Sequence, residues 1–186
     1  MKSQDYVMKS QEYLALEQMI ASANIESDRG CALILSSNLE NRLGNFIKRL
    51  CINLPKEIEK KLFSGTSSFS TFSSRIDICY ALGHIGEKEY RDLNLIRKIR
   101  NEFAHNEGEL TFESHSIKSR CSEFNLVKEA ETDHPSLVHH FSKPRDKFQI
   151  LVFSLCLTIL DRSEKLSNKR PITPTSNFIL PKNNAK

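Results

Sequence analysis

Residues 97–106 read RKIRNEFAHN and set Arg100, Asn101 and His105 close together in a segment of helical character. A guanidinium and an imidazole at this spacing could do phosphoryl chemistry. His105 would move the proton of a ribose 2′-hydroxyl or of the leaving oxygen, and Arg100 would neutralise charge building on the phosphorane. Asn101 would orient the imidazole. The competing reading is a solvated helix back whose terminal histidine is favoured by the helix dipole. At about 100° per residue, Arg100 and His105 diverge by about 140°, so one subunit does not readily present both to one phosphate. A second copy, or fraying at Asn106, would have to close that gap.

On the same wheel Leu93, Leu95, Ile96, Ile99 and Phe103 form one broad apolar stripe, the face expected to enter a core. Arg100 lies only about 40° from Ile96. A guanidinium there is costly to bury unless it is paired, and Asp92 and Glu40 are its candidate partners. Asn101 and His105 lie on the far side, flanked by Arg97 and Lys98, which makes that face polar and cationic.

The elements that must position these residues are helical throughout, since apolar residues recur at spacings of three and four and no convincing alternating strand exists. A first helix is expected over Gln4 to Ala23. A second follows Ser27 and runs to about Ile52 through Ala32, Leu35, Leu39, Leu43, Phe46 and Leu50, and reads as the central helix. Pro55 opens a short helix, PKEIEKKLF, and the loop SGTSSFSTFSS follows, pinned by Phe69 and Phe72. SRIDICYALGHI forms a further helix ending near Gly83 to Gly86, and a long one spans about Glu87 to His105. A weaker helical stretch lies around Ser116 to Val127, and the polar segment 130–143 is broken by Pro135. The last helix starts after Ser142, with Pro144 in its first turn, and continues to about Leu166. The expected fold is all-α: a single-domain bundle of five to seven helices over residues 1–166, with a flexible, basic, Pro-containing tail over 167–186.

A chain of 186 residues with 39% hydrophobic content can bury roughly 70% of its unfolded surface without a metal or disulfide to hold it. Cys31, Cys51, Cys79, Cys121 and Cys156 form no C-x-x-C pair and read as buried thiols in a reducing cytosol. The opening MKSQDYVMKSQEY is too polar for a signal peptide, and the longest nearly apolar run, Ile150 to Leu160, is about half a bilayer-spanning length. A cytoplasmic protein without membrane contact is therefore expected.

The formal charge of +4 resides in the tail, where Lys169, Arg170, Lys182 and Lys186 stand without an acid, so residues 1–166 are neutral. Duplex-binding domains usually carry a clustered basic excess, so direct sequence-specific DNA binding is not expected. Asp133, His134, His139 and His140 gather in the polar segment, but their spacing matches no common zinc pattern. GTSSFSTFSS lacks the lysine and preceding strand of a phosphate-cradling loop, and neither a Gly-x-Ser-x-Gly elbow nor a catalytic cysteine signature occurs. No metal and no cofactor is expected.

The R-x4-H spacing of Arg100 and His105, with Asn101 after the arginine, resembles the motif of HEPN ribonuclease domains. That resemblance implies a helical, dimeric, metal-independent endoribonuclease whose two motifs meet on RNA across a cleft. Asn106-Glu107 after His105 departs from the H-x-Y extension of some HEPN toxins. A longer stretch, residues 62–106, is similar to the central block of the mannitol operon repressor family. Its features are the glycine-containing loop, Arg75 opening the next helix, the Tyr80–Gly83 turn, Glu89-Tyr90-x-Asp92 and the Arg/His helix. This second resemblance implies an all-helical protein, named for repression of a sugar-alcohol operon, with no recognised DNA-reading motif. With a neutral folded part, repression is expected to pass through a protein partner, such as a transcription factor or the transcription machinery, or through RNA, and a homodimer is expected. On that reading Arg91, Arg97 and Lys98 meet an acidic partner, while Arg75, Asp92 and Arg100 brace the loop and helices internally. The regulator is the primary expectation and the ribonuclease is the alternative.

Overall fold

The computed structural model describes residues 11–134 and 142–166. They form helices α1 (Gln11–Asn24), α2 (Asp28–Leu50), α3 (Lys56–Phe63), α4 (Phe72–Ala81), α5 (Glu87–His105), α6 (His115–Ser122), α7 (Asn125–Asp133) and α8 (Pro144–Leu166). No strand occurs among the described residues, and no helix among them is long and apolar enough to cross a membrane. The all-α expectation holds, with eight helices in place of five to seven. Residues 4–10, where the first helix was expected to begin, and the tail 167–186 lie outside the described residues.

The extra helix arises where one weak stretch was expected over Ser116 to Val127. The backbone breaks at Glu123 and restarts at Asn125, because Asp92 on α5 accepts hydrogen bonds from Asn125 N at 2.8 Å and Leu126 N at 2.9 Å. A carboxyl group at those otherwise unpaired N–H groups starts a helix. The first residues of the expected 130–143 loop accordingly complete α7, and residues 135–141 lie outside the described residues. Helix α4 ends at Ala81, just short of the expected end near Gly83 to Gly86, because Gly83 takes φ 71°. Gly83 N then donates to Tyr80 O at 2.9 Å and His84 N to Cys79 O at 2.9 Å, a paired closure that side-chain-bearing residues rarely adopt.

Helix α2 is the hub. Its Leu35, Leu39, Leu43, Phe46 and Ile47 are buried, and it packs against α8, α5, α1 and α4. Ser27 starts it by accepting from Gly30 N at 3.1 Å. The facing stripes are Leu93, Ile96, Ile99 and Phe103 of α5, and Phe148, Leu151, Val152, Leu155 and Ile159 of α8. Phe112 packs between Phe103 and Phe148 with tilted rings, their centroids 5.1 and 5.2 Å from its own. Each such buried ring or aliphatic side chain contributes about 1.5–3 kcal/mol, so Phe103→Ala would open a costly void beside Phe112.

Charged struts tie the ends of the bundle together. Arg145 at the start of α8 donates to Asp28 Oδ1 at 2.7 Å and to the carbonyls of Ala23 at 2.9 Å and Glu26 at 2.8 Å. Near its other end, Arg162 reaches Glu89 at 2.9 Å. Helix α3 is peripheral, held by Phe63, which packs on Phe69, and by the Lys48–Glu59 ion pair at 2.6 Å.

Candidate functional site

Leu93, Ile96, Ile99 and Phe103 of the α5 stripe are fully buried, Leu95 at its edge is partly so, and the opposite side faces solvent. Arg91, Lys98 and His105 follow one another at intervals of seven, so they fall on one line along the exposed side, about 21 Å long at 1.5 Å per residue. Arg91 is held by Glu87 one turn earlier, at 2.6 Å. Arg97 sits beside this line, half-buried, and donates from Nε and Nη2 to Asn94 Oδ1 at 3.3 and 3.2 Å. At the first turn of the same helix Tyr90 stacks on Tyr80 of α4 at 4.5 Å and donates to Asp77 of α4 at 3.0 Å. Acceptance of that hydroxyl proton by the Asp77 carboxylate pushes the Tyr90 phenol above its usual range.

Arg100 turns the other way. Its Nη2 reaches Glu40 Oε2 on α2 at 3.5 Å, and its Nη1 donates to Asn101 Oδ1 at 3.0 Å. Asn101 thus has its carboxamide oxygen on Arg100 rather than on the imidazole, and His105 is exposed at the last turn. The end of α5 is also clamped, because Arg29 on α2 donates to the carbonyls of Asn106 and Gly108. Within one subunit the structure therefore does not bring Arg100, Asn101 and His105 onto a common point, and the Arg29 clamp opposes unwinding at Asn106.

Of the two candidate partners of Arg100, Glu40 is the one it meets. Asp92 is wholly buried and its oxygens are engaged by Asn125 and Leu126. Arg75 at the start of α4 lies against α2: its Nε donates to Phe69 O at 2.9 Å and its Nη1 to Glu40 O at 3.0 Å. Glu40 thus contributes its side chain to Arg100 and its carbonyl to Arg75. Gly44 makes that approach possible, since a Cβ there would lie 2.9 Å from Arg75 Cζ.

Beside Arg75 opens a cleft of ≈460 Å³ whose walls include Asn41, Asn45 and Lys48 of α2 and Lys56 and Lys60 of α3. Nothing in the sequence spacing marks it, because its residues come from three helices. The available signal was Gly44 within an otherwise strongly periodic helix, a cue for close backbone approach.

The thiols serve packing. Burial pushes Cys79, Cys121 and Cys156 up to about 12, and raises Cys31 and Cys51 as well. Thiols held so far from ionisation are poor nucleophiles and poor metal ligands. Among the described residues no group of three or more His, Cys, Asp or Glu is placed to hold a metal ion; His139 and His140 lie outside them.

The fold is shared with solved structures. Escherichia coli MtlR, in its complex with HPr, superposes with a TM-score of 0.62 at 17% identity, over 77% of this chain and 97% of that one. A protein from Shigella flexneri described as a possible transcriptional regulator, YggD, superposes with a TM-score of 0.57 at 14% identity, over 81% of this chain and 96% of that one. No curated protein matches the chain. The mannitol repressor family model matches residues 55–167, from the start of α3 to the end of α8, and by this match across more than half its length the chain belongs to that family.

Proposed function

We propose that the chain is a transcriptional regulator that acts by holding a protein partner, as a homodimer, and does not itself read DNA. The observation that carries this reading is membership of the mannitol repressor family, joined to a fold shared with a protein seen in complex with HPr. In the proposed interface the outward side of α5 supplies the contact: Arg91, Lys98 and the flanking Arg97 meet carboxylates of the partner. A line of cations along a rigid helix suits such a contact, because complementary charge steers encounter and fixes register. Glu87 partly neutralises Arg91, which leaves Lys98 as the centre of the patch. HPr is the first partner to test, with transcription factors next.

The experiment is a titration of the purified chain with HPr from its own host, in parallel with Arg97→Glu/Lys98→Glu. Saturable binding that weakens by about tenfold or more in the charge-reversed protein is expected. Binding that is unchanged by the reversal would remove the α5 surface from the proposal, and no binding to HPr or to any purified transcription factor would remove the partner mechanism.

A further inference from the structure

We infer that the cleft between α2, α3 and the start of α4 is a binding site for a small, hydroxyl-bearing phosphomonoester. Arg75 is the reason to look there. Its guanidinium is half-buried, yet its acceptors among the described residues are neutral carbonyls, those of Phe69 and Glu40, and its Nη2 donates to no atom of those residues. Carbonyls orient a guanidinium without cancelling its charge, and a partly desolvated cation favours an anion in reach.

The described residues around it do not supply one. The cleft is lined by Lys48, Lys56, Lys60 and Arg75 against the single carboxylate of Glu59, which is already paired with Lys48 at 2.6 Å. Lys56 and Lys60 form no ion pair among the described residues. Like charges gathered round a hollow repel one another unless an anion fills it, and the surplus of three positive charges suits the dianion of a phosphomonoester. Asn41, Asn45 and Ser64 line the same space with side-chain groups that make no hydrogen bond among the described residues, and these suit hydroxyls on the remainder of the ligand. The volume of ≈460 Å³ lies within the span of about 300–1,000 Å³ usual for small-molecule pockets. Gly44 keeps the guanidinium lying along α2, because any Cβ would displace it. This site is separate from the α5 surface, so either can fail without the other.

Calorimetric titration of the full chain with inorganic phosphate, glucose 6-phosphate and glucose tests the assignment. Saturable binding at one site is expected for the two phosphates, tighter for glucose 6-phosphate, with none for glucose. Lys56→Ala/Lys60→Ala removes two exposed side chains and is expected to keep the fold while weakening glucose 6-phosphate by about tenfold or more. Gly44→Ala, which disturbs Arg75 from outside the lysine pair, is expected to weaken it too. Absence of saturable phosphate binding in the parent protein, or equal affinity in the folded lysine variant, overturns the proposal. So does tight uptake of an RNA oligonucleotide that glucose 6-phosphate does not compete with and that the lysine substitutions abolish.

Discussion

Arg100 of α5 and Glu40 of α2 meet across the helix interface at 3.5 Å, and the contact turns the guanidinium towards the core side of α5 while His105 faces solvent. An arginine held by a carboxylate and by Asn101 is poorly placed to stabilise a phosphorane. Purified protein is accordingly expected to leave RNA intact in EDTA, and Glu40→Gln is not expected to unmask cleavage. Products ending in 2′,3′-cyclic phosphate, absent in a folded His105→Ala protein, would reverse that conclusion.

Asp92 is wholly buried, and its two oxygens accept from Asn125 N, Asn125 Nδ2 and Leu126 N. Its removal leaves backbone donors at the start of α7 without partners in a dry environment. Asp92→Ala is expected to destabilise the fold by about 3 kcal/mol, and Asp92→Asn by less, since an amide oxygen can still accept. Urea unfolding measures both; a change within about 0.5 kcal/mol for the alanine protein would contradict the capping role.

The buried thiols give an alkaline signature. Their folded values, about 12 for Cys79, Cys121 and Cys156, lie above the ordinary 9.0, so the folded chain holds these protons more tightly than the unfolded one. Stability from this source is intact below the ordinary value and is lost as pH climbs from there towards about 12, by up to about 1.4 kcal/mol per unit for each thiol. Melting temperatures are expected to fall steeply over that alkaline window. In the same spirit, Cys51, half-exposed at the end of α2, is expected to be the first cysteine alkylated in the native protein, with the buried four following only on unfolding. Rapid labelling of Cys121 or Cys156 in the folded state would count against the packing described.

Helices with a long apolar stripe were readable from the chain itself. Glu87–His105 begins and ends where its stripe and the following NEGE segment place it, and α2 and α8 run nearly as their periodicity indicates. Elements governed by distant partners were not. The division of α6 from α7 depends on a carboxyl group 33 residues away, so no local pattern reports it. The same limit hid the cleft: Lys56 and Lys60 look like an ordinary solvated face of a short helix until Arg75, drawn in by the bare backbone at Gly44, supplies the opposite wall. It also left Arg100 with two equally plausible partners, which only the packing of α5 on α2 separates.

The residues by which the family is recognised begin at Lys56's neighbour Pro55, yet the rod on which they are assembled, α2, ends before them at Leu50. A fragment trimmed to the recognisable span would be a hull without its keel. Ile96, Phe103, Leu155 and Ile159 would lose the surface they close upon, and the severed piece would sooner clump than dissolve. What makes this lineage identifiable therefore leaves out the helix on which its own buried stripes close.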